Sequence, residues 1–346
     1  MSDDVLIRVE NGVGRITLNR PQALHSLTTG MCAAIDQALI GWEKDDQVRC
    51  VMVDHADGTR GFCAGGDIRQ VAISGRSDGK EAAEFFATEY RINVRIKRFS
   101  KPFIAIIDGV TMGGGVGISV HGSHRIATEN TLFAMPETGI GLFPDVGGGW
   151  FLPRLDGELG TWLALTGARL KGADVVAAGI ATHFMPSGNI AALKQALLKG
   201  DNIDAVLARL SQPAPKASWH EHAEIINRCF AKTSVTDICI ALKMADDDWA
   251  TAQAEVLRTR SPLSLSVSLR QLRLGRAMTS FEDVMQMEYG IACRITRSHD
   301  FSEGVRAVVE DKDNAPRWSP PTISGVTPVM VERMFIRDDA LALKLN

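Results

Sequence analysis

From Phe133 to Gly149 the sequence is apolar and rich in glycine, and it carries two charges, Glu137 in Pro136-Glu137-Thr138 and Asp145 in Pro144-Asp145-Val146. Carboxylates seldom enter such surroundings without a partner or a chemical task. Removal of water raises a carboxyl pKa, the usual route to an acid or base that works near neutral pH. By residue type alone, capping and loop hydrogen bonding stand beside catalysis as tasks for both.

Two glycine turns could supply a second kind of chemistry. Gly61-Phe62-Cys63-Ala64-Gly65-Gly66-Asp67 and Gly113-Gly114-Gly115 each follow a strand pattern and precede a helical one. In that context the N–H groups around Ala64 are expected to face outward at a helix N-terminus, with the second turn aiming another N–H at the same point. Two such donors make an oxyanion hole, each worth roughly 2.7–4 kcal/mol to a developing negative charge. A lone turn of this kind reads equally as close helix–strand packing, and it is the pairing that favours an anion. A G-x-G-x-x-G fingerprint and a Walker loop are absent, and the one G-x-S-x-G, Gly75 to Gly79, follows a helical pattern rather than the strand an elbow needs, which disfavours dinucleotides, nucleotide phosphates and a serine thioesterase of the α/β-hydrolase type.

The elements that position these groups follow from periodicity. Residues 5–9 and 13–19 alternate around Asn11-Gly12, a two-residue hairpin signal. Thr28 or Thr29 caps a helix with Met31, Ile35, Leu39 and Trp42 on one face, and Cys50 to Val53 reads as a buried strand. A second apolar strand, Phe103 to Ile107, leads through the 113–115 turn into a short helix. Beyond about residue 200 the strand signals fade, leaving amphipathic stretches near 217–230, 249–258, 263–275 and 281–296, with a break at Ser261-Pro262. The predicted division is a core over 1–200 and a mainly helical region over 201–346 packed on it. Asp246-Asp247-Asp248 reads as a solvated helix start.

Bulk composition narrows the classes. The 346 residues are 45% hydrophobic and 23% charged with a formal net charge of -3, so no basic excess offers itself to nucleic acid. The six cysteines form no C-x-x-C pair and no zinc spacing, which predicts reduced thiols in an intracellular protein. Apolar runs are too short to span a bilayer, and the acidic start lacks a secretory or transit pattern. The expected location is cytoplasmic, or the mitochondrial matrix if a transit peptide has been removed.

Taken together, Phe62 to Asp67, the 113–115 turn and the Pro136-Glu137 loop resemble the crotonase (enoyl-CoA hydratase/isomerase) superfamily. Thr111 to Gly117, Phe133 to Thr138, Gly141 to Gly149 and Phe151 to Leu155 are similar to the 3-hydroxyisobutyryl-CoA hydrolase family. Ser261-Pro262, Leu269 to Leu272, Met287-Glu288-Tyr289, His299 to Phe301, Glu303 to Ala307 and Asp311 to Asp313 agree with it. The resemblance covers nearly the whole chain and is weakest at about 186–245 and after about 322. It implies an α/β fold, the crotonase-type spiral of β-β-α units with a C-terminal helical region, and a homo-oligomer, trimeric by superfamily habit. The implied activity is hydrolysis of (S)-3-hydroxyisobutyryl-CoA to the free acid and coenzyme A in valine breakdown.

The resemblance also assigns residues. The thioester oxygen is expected at the N–H groups of Ala64 and Gly114, with Gly65, Gly66, Asp67 and Gly113 lining the substrate. Glu137 acts on the carbonyl carbon as nucleophile or general base, and Asp145 positions water or the substrate hydroxyl. Glu89 matches a substrate-contacting position, with an exposed helix glutamate as the competing reading. Hydratases place one of their two glutamates at the position of Gly117 and typically carry glycine where this chain has Asp145. No metal, nucleotide or redox cofactor is implied, coenzyme A being part of the substrate. Arg306 and Lys312 lie where superfamily members often meet its phosphates, although surface solvation suits both. The spacing of His220 and His222 is wrong for paired helical metal ligands, and His121 and His299 read as structural. A hydratase or isomerase, and a non-catalytic acyl-CoA-binding subunit, are the alternatives.

Overall fold

Val5–Glu10 (β1) and Val13–Leu18 (β2) pair antiparallel with Glu10 opposite Val13, which leaves Asn11 and Gly12 as the turn. Both turn residues have positive φ, +48° and +76°, the geometry a type I′ hairpin requires. In this computed structural model, which describes residues 3–345, the hairpin is the edge of a six-stranded sheet. Its order is β1-β2-β3-β4-β6-β9, with β3 Cys50–His55, β4 Phe103–Ile107, β6 His124–Ala127 and β9 His183–Phe184. From β2 onward every pairing is parallel. Parallel strands are buried on both faces, which is why β3 and β4 read as nearly unbroken apolar runs. Cys50, Met52, Ile104, Ile106 and Ile126 pack with Leu193 and Leu197 of helix Ile190–Lys199 and with Val206 and Leu207 of helix Ile203–Leu210.

A smaller sheet joins β5 Val110–Met112, β7 Leu132–Ala134 and β8 Leu170–Lys171. Helix Thr29–Lys44 begins as its sequence predicts, with the Thr28 hydroxyl accepting from the Met31 N–H at 3.2 Å and with Met31, Ile35, Leu39 and Trp42 buried. Ser261 likewise caps helix Pro262–Ala277, and Asp247 of the acidic run caps helix Asp248–Thr259.

The expected single boundary at residue 200 is not where the chain divides. One compact unit comprises the chain up to Gly66, then Arg91–Phe133 and Arg169–Ser218; the other comprises Asp67–Tyr90, Ala134–Ala168 and Trp219 onward. The reason lies in helical faces rather than in chain order. Helix Leu159–Thr166 is buried along its whole length and packs on helices Ala223–Phe230, Asp248–Thr259 and Pro262–Ala277, so 134–168 belongs with the C-terminal helices. Helix Ile68–Gly75 packs on helix His299–Val305 in the same unit. Among the described residues, no helix is long and apolar enough to cross a membrane.

Helix Pro262–Ala277 approaches the 144–149 loop at Gly275, where an added Cβ would lie 1.9 Å from the Gly149 carbonyl oxygen. Neither partner is the free end of a side chain, so the overlap must move backbone. Gly275→Ala is expected to destabilise the protein by about 3 kcal/mol, the upper end of ordinary overpacking. A denaturant midpoint unchanged from the parent protein would contradict this.

Candidate active site

Helix Lys80–Arg98 presents Ala82, Phe85, Phe86, Glu89 and Tyr90 on one buried face, at helical spacings of three and four. Glu89 is therefore not an exposed helix glutamate: it is 2% accessible, and its Oε1 is buried without a hydrogen-bond partner. Tyr90, fully buried against Phe86 and Tyr289, donates its hydroxyl to Asp145 Oδ2 at 2.7 Å.

Glu137 opens a 3-10 turn, Glu137–Ile140, directly after Pro136. The turn is fixed from several sides. Leu142 N–H donates to the Glu137 carbonyl at 3.0 Å, Thr138 Oγ1 to the Leu165 carbonyl at 3.0 Å, and Ser261 N–H to the Thr138 carbonyl at 3.0 Å. Gly141, at φ +73°, ends the turn where an added Cβ would lie 2.3 Å from the Asp300 carbonyl oxygen, so only glycine fits. The Glu137 side chain is 4% accessible, and its Oε2 has no hydrogen-bond partner.

Asp145 lies in the 144–149 segment, which runs into helix Gly148–Phe151 and whose residues Val146 and Gly147 are both left-handed, at φ +51° and +85°. Three carboxylates of one unit thus share one dry environment, and each feels it. Burial, then the charges of Asp145 and Glu137, push Glu89 well above the ordinary carboxylate range. Burial, then the charge of Asp145, does the same to Glu137. Burial lifts Asp145 to about 7 against the pull of the Tyr90 hydroxyl and its own backbone. Like charges in a low-dielectric pocket do not all ionise together, so the cluster favours keeping a proton at neutral pH. Such a set can serve as base or nucleophile through one member and as acid through another.

The two glycine turns lie side by side in the other unit. Cys63 and Thr111 form a parallel bridge, Met112 N–H donates to the Cys63 carbonyl at 2.9 Å, and a Cβ on Gly115 would sit 2.3 Å from that same carbonyl. The turns can meet only because position 115 is glycine. A Cβ built on Gly65 would lie 3.8 Å from the Gly114 nitrogen. Gly114 is the first residue of helix Gly114–Gly117, so its N–H has no acceptor within the helix.

At Ala64 the outcome differs from expectation. Its N–H does not stand open but donates to the Leu24 carbonyl at 3.0 Å. Leu24 and His25 are consecutive left-handed residues, at φ +47° and +58°, and they turn that carbonyl onto the loop. An anion at Ala64 must share its N–H in a three-centre bond. Of the remaining expected lining residues, Gly65 has φ +118°, Gly66 bridges Leu27, Gly113 precedes the short helix at φ +46°, and Asp67 is the N-cap residue of helix Ile68–Gly75.

Arg306 is not held out for a phosphate. It pairs with Glu303 at 2.8 Å and with Asp311 and Asp313 at 2.7 Å each, and these carboxylates raise its pKa. Lys312 is exposed in a left-handed turn. His299 Nε2 lies 2.9 Å from the Arg317 carbonyl, His121 is buried, and His222 stacks on Trp249. Sequence reasoning overlooked Glu288. It sits fully buried on the inner face of helix Phe281–Ile295, and both its oxygens accept from the loop that carries Asp145. Its place among Phe281, Val284, Met285 and Tyr289 at helical spacing was the available signal.

Comparison with known proteins adds independent findings. A family model described as enoyl-CoA hydratase/isomerase matches residues 13–335. A Danio rerio protein named 3-hydroxyisobutyryl-CoA hydrolase, mitochondrial, is 46% identical over 99% of this chain and 92% of its own length. The Homo sapiens protein of that name is 45% identical over 94% of this chain and 86% of its own. Among solved structures, a carnitinyl-CoA dehydratase from Mycobacterium thermoresistibile superposes with a TM-score of 0.95 at 43% identity, covering 99% of both chains. An enoyl-CoA hydratase from Rhodobacter sphaeroides superposes with a TM-score of 0.92 at 39% identity, covering 99% of this chain and all of its own.

Proposed function

Since the chain belongs to the enoyl-CoA hydratase/isomerase family, and within it to the 3-hydroxyisobutyryl-CoA hydrolases, we propose that it hydrolyses the thioester of (S)-3-hydroxyisobutyryl-CoA, or of a closely related short 3-hydroxyacyl-CoA. The observation that supports this most directly is the carboxylate set. Glu137 has Asp145 and Glu89 for company in one buried cluster, while Gly117 offers no side chain for a two-glutamate hydration.

In this reading Glu137 acts on the thioester carbonyl carbon, in its carboxylate form, by one of two routes. As nucleophile it forms an anhydride, the C–S bond breaks, and the departing thiolate takes a proton; water then cleaves the anhydride and returns the carboxylate. As general base it takes a proton from water as the water oxygen bonds to carbon, and hands that proton to the leaving sulfur. Asp145 and Glu89, whose protons burial holds more tightly, are the proton source and the hydrogen-bond partners for water and the substrate hydroxyl. The oxyanion is assigned to the Gly114 N–H, with the Ala64 N–H shared between it and the Leu24 carbonyl.

A second reading has its own support, because two solved relatives carry the names of a dehydratase and a hydratase. One pair of assays separates them. Thiol release from 3-hydroxyisobutyryl-CoA, 3-hydroxypropionyl-CoA and crotonyl-CoA should be fast for the hydroxyacyl esters, and the absorbance of crotonyl-CoA should show little hydration. Rapid loss of enoyl absorbance without free thiol would replace hydrolysis by hydration. A place in valine breakdown, a homotrimer, and a location in the cytoplasm or, as the names of the curated relatives suggest, the mitochondrion belong to the same proposal.

A further inference from the structure

The loop that carries Asp145 is gripped on both sides of that residue by two fully buried polar side chains. Before it, the Pro144 carbonyl accepts from Gln271 Nε2 at 2.8 Å. After it, Gly147 N–H donates to Glu288 Oε2 at 2.7 Å and Gly149 N–H to Glu288 Oε1 at 2.7 Å. Gln271 Nε2 spends its other hydrogen on Glu288 Oε1 at 2.9 Å, which joins the two grips into one network. Both Gln271 and Glu288 are 0% accessible. Within the loop the Gly148 N–H returns to the Asp145 carbonyl at 2.7 Å, and the left-handed pair Val146-Gly147 forms the bend.

A buried carboxyl group is costly unless its oxygens are satisfied, and this one is satisfied by two N–H groups of the backbone that follows Asp145 and by Gln271. We propose that Glu288, with Gln271 as its brace, is a positioning residue for the reaction: it locks the 144–149 backbone so that the Asp145 carboxyl group stays where the Tyr90 hydroxyl holds it. The inference rests on the reading that Asp145 takes part in thioester hydrolysis. Glu288 itself touches no reacting atom; it acts through the loop. The groups that face Asp145 are the Tyr90 hydroxyl, Glu89 and Glu137, with Glu288 behind the backbone.

The test is a double-mutant cycle on thiol release. Glu288→Gln keeps the shape but turns an amide nitrogen toward at least one N–H donor, so the loop must shift. Displacing a working group by about 1 Å can reduce turnover as much as 100-fold. Glu288→Gln is therefore expected to lower kcat by roughly tenfold or more, with KM within about twofold of the parent, since no substrate contact is removed. In the Asp145→Asn background the same change should cause little further loss, because the group it positions is already disabled. Equal losses in both backgrounds, or parental kcat in Glu288→Gln, would overturn the inference. If Glu288→Gln does not fold, Gln271→Leu, which leaves the carboxylate in place and removes the donor to Pro144, is read by the same cycle and the same two outcomes. Parental turnover in Asp145→Asn alone would identify the role of Asp145 in hydrolysis as the faulty premise, and the inference would fall with it.

Discussion

Glu137→Gln is expected to slow thiol release by about 10²–10⁴-fold, the usual contribution of a positioned base, and by more if the carboxylate is the nucleophile. The substitution is nearly isosteric. It removes the ability to take a proton or to form an acyl bond while leaving the 3-10 turn, which is held by backbone and by Thr138, intact. It also removes one of three mutually repelling carboxylates, so the folded protein should lose no stability. Binding of a non-hydrolysable acyl-CoA thioether should be retained, measured by calorimetry on the same preparation. A Glu137→Gln protein that still turns over within a few-fold of the parent would leave the hydrolytic proposal without its central residue. Loss of both turnover and binding would instead assign Glu137 to substrate contact.

The second large effect is a stability that declines as the solution becomes more alkaline. Asp145, lifted to about 7, and Glu288, lifted by burial to about 8 despite the Gly147, Gly149 and Gln271 donors, both lie well above their ordinary values of 3.8 and 4.5. Glu89 and Glu137 are displaced in the same direction. A carboxyl with a raised folded pKa binds its proton more tightly in the native state than in the unfolded chain. Its contribution is thus complete at low pH and is lost as pH rises through the folded value. The fold is therefore more stable with Asp145 and Glu288 protonated than with both ionised. His25, depressed to about 4 by burial and by His55, and His55 and His183, lowered chiefly by burial, oppose this fall only at the lower end of the interval from pH 6.5 to 8.5, where the unfolded imidazoles still carry part of their charge. Glu303, held near 2 mainly by Arg306, acts only in acid. The denaturant midpoint should therefore fall from pH 6.5 to pH 8.5, and Asp145→Asn should flatten the slope. A midpoint that rises over this interval would falsify the picture of a proton-sharing cluster.

Much of this architecture could be read from local chemistry. Asn11-Gly12 specifies its turn because both positions need positive φ, and Thr28, Asp247 and Ser261 announce helix starts because their side chains satisfy the first free N–H groups. Glu137 and Asp145 stand out because charge is rare in an apolar stretch. What escaped depends on partners far away in the chain. Glu288 follows a pattern that predicts burial, yet its acceptor role is defined by Gly147 and Gly149, about 140 residues earlier. Ala64 is closed by the carbonyl of Leu24, and left-handed Leu24 and His25 carry no glycine or asparagine to signal such a turn. The boundary at 200 failed because strand and helix signals report local periodicity, whereas compaction is decided by which apolar faces find each other.

That interleaving has a practical consequence. The chain passes from one unit to the other five times, after Gly66, Tyr90, Phe133, Ala168 and Ser218. No single scission therefore releases either half complete: a fragment ending at residue 200 carries every strand of the described residues yet keeps two stray pieces of the helical half, Asp67–Tyr90 and Ala134–Ala168, severed from the helices that shelter their apolar sides. Shuffling this catalyst with a relative would need several coordinated joins, and a lone crossover would transplant pieces of both halves together.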